Sequence, residues 1–112
     1  MTSELTKKRC VPCEGGMPPF TREEAERYLP EVPGWQLGAD GRAIRREFAM
    51  KDFKDAMAFI NKVAEVAEAE NHHPDMELFE WNKLRFILST HAIGGLSEND
   101  FILAAKINAL IV

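Results

Sequence analysis

The sequence predicts an α+β domain: a four-stranded antiparallel sheet with helices packed on one face. Three observations lead there. Apolar residues recur at three- and four-residue spacing between positions 53 and 67, the period of a helix lying on a core. Residues 83–90 alternate apolar and polar, the period of a half-buried strand. Two Ser/Thr-x-x-Asp/Glu boxes, at Thr21 and Ser97, mark further helix starts. In order, the elements read helix, two strands, helix, two strands, helix, which suits an antiparallel sheet covered on one face by helices.

Residues 1–20 read as an extended amino-terminal arm, punctuated by Pro12, Gly15, Gly16, Pro18 and Pro19. Residues 21–112 read as the domain. Thr21 is the N-cap of a short helix, with Glu24 reaching back to it. Pro30 and Pro33 stop this helix at about Leu29. Residues 35–37 and 44–50 read as a hairpin around the turn Ala39-Asp40-Gly41-Arg42. Asp52 caps a long helix whose apolar stripe is Phe53, Met57, Ile60, Val63, Ala64 and Ala67, with Glu65, Glu68 and Glu70 on its polar face. Asn71-His72-His73-Pro74 ends it, because proline disfavours helical geometry in the residue before it.

Residues 76–81 and 83–90 form the next two strands. In the second, Leu84, Phe86 and Leu88 alternate with Lys83, Arg85 and Ser89. Ala92-Ile93-Gly94-Gly95 is a loop. Ser97-Glu98-Asn99-Asp100 opens the last helix, with Phe101, Ala104, Ala105, Asn108 and Ile111 on overlapping turns.

Composition narrows the function classes. The chain has 112 residues, 46% hydrophobic and 29% charged, with a net charge of −4. That is one globular domain able to bury roughly two thirds of its unfolded surface. No stretch approaches the roughly 18–20 apolar residues of a membrane helix. The start, MTSELTKKRC, has no apolar segment after its basic residues, so a secretory signal is not expected and a cytoplasmic location is. The mild acidity argues against nucleic acid as a partner, since the only basic run is Lys7-Lys8-Arg9. Cys10 and Cys13 form a Cys-x-x-Cys in a Gly/Pro-rich stretch and read as reduced thiols of the arm. A metal or partner contact and a redox pair are the alternatives. The apolar end Ala-Leu-Ile-Val would be covered by a second copy or would close the chain's own core.

The chemistry rests on three histidines. His72 and His73 are adjacent at a helix-to-strand junction, and His91 ends the strand after the next hairpin. If the two strands pair, the chain runs out and back, returning His91 to the end where His72 and His73 lie. Imidazoles with unperturbed pKa near 6.5 lining one polar hollow would make a general acid/base site at neutral pH. The plainer readings remain open: His73 filling a turn, Glu68 as a solvated helix residue, Asp100 as no more than the partner of its cap. A zinc ion held by the three histidines is the lesser alternative.

Glu68-x-x-x-His72-His73-Pro74, with six residues to Trp81, nine more to His91 and eight more to Asp100, resembles the pterin-4a-carbinolamine dehydratase family. The resemblance runs through ENHHPDMELFEWNKLRFILSTHAIGGLSENDFILAAKI and covers residues 21–112 in element order. It implies a lyase that removes water from 4a-hydroxytetrahydropterin to give quinonoid dihydropterin, recycling the cofactor of aromatic amino acid hydroxylases. It implies His72, His73 and His91 as the catalytic set, with Asn71, Ser89 and Thr90 contributing backbone against the pterin. Glu68 and Asp100 are implied to orient histidines or the edge of the site. Trp81 fills the family's aromatic position, with a core anchor as the alternative. No cofactor or metal is implied, and a homodimer or homotetramer is. The spacing from Pro74 to Trp81 is one residue longer than in many relatives, which predicts a bulge within 76–80. A second function class stays open, because relatives also serve as transcription-factor partners, assembly helpers or molybdopterin-linked proteins.

Overall fold

The computed structural model describes residues 4–11 and 17–111. Helix α1 (Arg22–Tyr28) begins at the Thr21 capping box, with both reciprocal hydrogen bonds formed. The chain then tightens into a 3-10 turn, Leu29–Glu31, that accommodates Pro30 near its start, where no helical N–H is needed. Strands β1 (Gln36–Leu37) and β2 (Ile44–Ala49) form the first hairpin. Helix α2 (Phe53–Glu70) follows, capped by Asp52, whose side chain accepts the Asp55 N–H. Strands β3 (Asp75–Phe79) and β4 (Lys83–Leu88) form the second hairpin, and α3 (Glu98–Ala109) closes the chain.

The sheet order is β1-β2-β4-β3, antiparallel throughout, so the two hairpins join through β2 and β4. Ile44, Phe48, Leu84, Phe86 and Leu88 face the helices; Phe59 of α2 meets the rings of Phe48 and Phe86 at 5.3 and 5.9 Å. The opposite face is polar. There Arg85 bridges Glu47 and Glu77 on the flanking strands, as the register requires, and lies over the Phe79 ring.

Two expectations are corrected. The apolar stripe of α2 is rotated: Ala56, Phe59, Val63 and Ala67 are buried, while Phe53 and Met57 are exposed. The helix carries apolar residues over more than one face, and contact with the sheet selects the face presenting Phe59. The expected bulge is absent. The β3–β4 register is unbroken from Asp75↔Ile87 to Phe79↔Lys83, and the connection is a turn in which Glu80 and Trp81 take left-handed backbone.

Helix α3 is buried on nearly every side, from Asn99 to Ala105 and again at Ile107. The sheet and α2 cover part of it, and the amino-terminal segment covers more. Residues Glu4–Lys7 form a 3-10 turn that sets the buried Leu5 against α3. Lys8 pairs with Glu98, which also accepts the Tyr28 hydroxyl. Phe20 stacks on Tyr28 and Phe101, and its N–H donates to the Leu96 carbonyl. Gly95 permits this crossing, since a Cβ there would stand 2.7 Å from Pro19. At the far end, Leu110 packs on the core and Ile111 is exposed. Cys13 lies outside the described residues; Cys10 is half-buried, with its sulfur 3.6 Å from the Asn99 carbonyl.

Candidate active site

The two ends of the second hairpin face different fates. Helix α2 ends at Asn71, which adopts left-handed backbone (φ 52°, ψ 41°), a conformation asparagine tolerates better than most residues. The Asn71 and His72 N–H groups return to the last carbonyls of the helix, including that of Ala67. This reversal turns His72 and His73 away from the helix axis and starts β3 two residues later. β4 then brings the chain back. Its alternation persists to Thr90, which is buried, and a 3-10 turn at His91–Ile93 follows.

His72, His73 and His91 line one hollow of about 360 Å³, together with Asn71, Ser89 and Thr90. That volume lies in the range of small-molecule sites. The structure thus brings together all three histidines and the three backbone-contributing positions expected beside them. The Ser89 hydroxyl donates to the Arg42 carbonyl and the Thr90 hydroxyl to Asp100, so both side chains are committed to holding the loop.

Asp100 stands behind the hollow, fully buried. Its Oδ2 accepts the Ser97 N–H at 3.0 Å, which is the capping box, and the Thr90 hydroxyl at 2.8 Å. Its Oδ1 lies 2.7 Å from His72 Nε2. The cap and the histidine contact are therefore both made, one by each oxygen. A carboxylate can only accept, so Nε2 carries a proton, and in the neutral ring Nδ1 keeps the lone pair. Glu68 holds His73 Nε2 at 2.6 Å in the same manner, but in a solvent-exposed pair. The His91 ring has no hydrogen-bond partner among the described residues.

Trp81 is not brought to the hollow within this chain. It sits in the β3–β4 turn, 61% exposed. Five residues of β3 separate that turn from the histidines, a rise of about 17 Å. The hollow also holds residues that the sequence reading did not single out: Val11, Ala92 and Asn99. For Asn99 the available signal was adjacency to Asp100 in the first turn of α3. For Val11 the sequence held none.

Beside the hollow, Glu70 is nearly enclosed, with its side chain 7% exposed. Burial pushes its carboxyl pKa up, but the Cys10 N–H and the Lys106 ammonium outweigh this and hold it below the usual carboxylate range. Among the described residues, no group of three His, Cys, Asp or Glu side chains is arranged to hold a metal ion, and no helix is long and apolar enough to cross a membrane.

Comparison with known proteins identifies relatives of the whole domain. The family model for pterin 4 alpha carbinolamine dehydratase matches residues 18–110. A protein of Halorhodospira halophila, provisionally named a pterin-4-alpha-carbinolamine dehydratase, is 53% identical over 106 residues, covering 95% of this chain and 96% of its own. The crystal structure of a transcriptional coactivator/pterin dehydratase from Brucella melitensis superposes with a TM-score of 0.77 at 35% identity, covering 82% of this chain and 97% of that one. A pterin dehydratase-like RuBisCO assembly factor of the alpha-carboxysome reaches a TM-score of 0.59 at 22% identity over 69% of this chain and 88% of its own, a likeness of fold alone. By the match to the family model over residues 18–110 and its identity to these relatives, the chain belongs to the pterin 4 alpha carbinolamine dehydratase family.

Proposed function

We propose that this chain is a hydro-lyase acting on 4a-hydroxytetrahydropterin, releasing water and quinonoid dihydropterin and so recycling the cofactor of aromatic amino acid hydroxylases. In this reading it works in the cytoplasm as a homodimer or homotetramer. The observation that carries the reading is the convergence of His72 and His91 on one hollow, with His72 held by the buried Asp100.

Dehydration breaks the C4a–O bond. A proton must reach the departing hydroxyl, and another must leave N5 so that its electrons form the N5=C4a double bond. Asp100 fixes Nε2 of His72 as the protonated nitrogen, so Nδ1 is the atom that accepts a proton. The carboxylate then stabilises the imidazolium that results. His72 is accordingly assigned the base. His91, at the exposed turn, is assigned the acid and can regain its proton from water. Each transfer contributes about 10²–10⁴-fold. His73, tied to Glu68 at the rim, holds the pterin or shares the base role.

The test is ultraviolet decay of 4a-hydroxytetrahydropterin with purified His72→Ala and His91→Ala. Both are expected to stay folded and to lose most of the catalysed rate. Full rates in both folded variants would remove them from the mechanism. They would favour the competing reading of a non-catalytic pterin-handling or assembly module.

A further inference from the structure

One side of the histidine hollow belongs neither to the sheet nor to α2. It is formed by Val11 of the amino-terminal segment, a residue that is 64% exposed although it lines the cavity. Its backbone is held at two points by one carboxamide. The Val11 N–H donates to Asn99 Oδ1 at 3.0 Å, and Asn99 Nδ2 donates to the Val11 carbonyl at 2.6 Å. Asn99 is only 5% exposed, in the first turn of α3 beside Asp100. One residue earlier, the Cys10 N–H donates to Glu70 Oε1 at 2.8 Å, while the other Glu70 oxygen takes the Lys106 ammonium at 3.0 Å.

These anchors are the two helix ends that set the histidines. Glu70 ends α2 just ahead of the Asn71 turn, and Asn99 precedes the residue that holds His72. A nearly buried carboxamide and a nearly buried carboxylate are thus committed to the backbone of a stretch that is half-buried at Cys10 and exposed at Val11. Burying such groups is favourable only when they are paired, so their geometry fixes residues 10 and 11 firmly. What they present is an aliphatic residue on the rim of the histidine hollow, a surface suited to the face or edge of a planar heterocycle.

We propose that Val11 is a wall of the pterin site, contacting the ring system of a bound tetrahydropterin, and that Asn99 is the positioning residue that holds it there. This rests on the pterin reading above. Both bonds go to backbone atoms, so changing the side chain at position 11 alters the wall, while changing position 99 releases it.

The test uses the full chain as wild type, Val11→Ala, Val11→Trp, Asn99→Ala and the Val11→Ala/Asn99→Ala double variant. Three quantities are read: dehydration kinetics, binding of 7,8-dihydrobiopterin by fluorescence quenching, and Tm. Removing two methyl groups from a ring contact should raise KM and Kd about tenfold. The kcat should stay within about twofold, because the contact is the same in ground and transition states. Val11→Trp should abolish dihydrobiopterin binding at unchanged Tm. Asn99→Ala should reproduce the Val11→Ala loss, and the double variant should lose less than the sum, since one residue acts through the other.

Wild-type binding in both Val11 variants would overturn the proposal, as would full additivity in the double variant. Binding of dihydrobiopterin without turnover in the wild type would refute the dehydratase reading alone and leave the Val11 comparison decisive. A wild type that binds no dihydrobiopterin would overturn both.

Discussion

Replacing Asp100 by asparagine isolates what the buried carboxylate does for His72. The change keeps the side-chain volume and turns one acceptor oxygen into an NH₂ donor. At the Oδ2 position stand the Ser97 N–H at 3.0 Å and the Thr90 hydroxyl at 2.8 Å. A backbone N–H cannot become an acceptor, so the amide oxygen must remain there. The NH₂ therefore falls at the Oδ1 position, 2.7 Å from His72 Nε2. There it requires Nε2 to accept, which moves the ring proton to Nδ1 and removes the lone pair assigned to take the substrate proton. Loss of one positioned proton-transfer group costs about 10²–10⁴-fold in rate, or about 2.7–5.4 kcal/mol of barrier. Stability changes less. A neutral hydrogen bond replaces a charge-assisted one at a cost of about 1–2 kcal/mol, lowering Tm by about 4–8 °C. Stopped-flow ultraviolet decay of 4a-hydroxytetrahydropterin and thermal unfolding read the two effects separately. A kcat within threefold of wild type in folded Asp100→Asn would refute the tautomer argument.

Three further outcomes are expected. Asn71→Ala should cost about 1 kcal/mol in urea unfolding, because alanine is strained in left-handed backbone, whereas Asn71→Gly should be close to neutral. Phe59→Ala should cost about 3–5 kcal/mol in the same assay, since its ring is buried between Phe48 and Phe86. Glu98 is held below its ordinary pKa of 4.5 by the Lys8 ammonium, aided by the Tyr28 hydroxyl and opposed by burial. A depressed carboxyl stabilises the fold above its unfolded pKa and loses that contribution as pH falls through the folded value. Glu98→Gln should therefore lower Tm at neutral pH, and the gap to wild type in calorimetry should narrow as pH falls below 4.5.

What could be read along the chain is what short-range chemistry determines. Both capping boxes span three residues, so Thr21–Glu24 and Ser97–Asp100 announce their helices without reference to the rest of the molecule. The alternation in β4, the turn at Gly41 and the end of α2 ahead of Pro74 are equally local. The hairpin after His73 also made the return of His91 legible, because strand geometry leaves it nowhere else to go. The spaced histidine motif marked the family from the same letters.

Other features depended on which surfaces meet. The face α2 buries is one of several its apolar residues offer, and only contact with Phe48 and Phe86 selects Phe59 over Phe53. The carboxyl of Asp100 is explained by its cap alone until His72, 28 residues away, arrives at the other oxygen. Val11 carries no motif; it reaches the hollow because Asn99, 88 residues later, has both a donor and an acceptor for its backbone. Trp81 matched a family position, yet a five-residue strand sets it at the far end of the hairpin. Caps, turns and periodicities are set by neighbours within a few residues, so the sequence alone determined the elements and the histidine set. Which faces touch, and which second partner a polar group finds, follow from contacts between distant segments, and only the tertiary structure decided those.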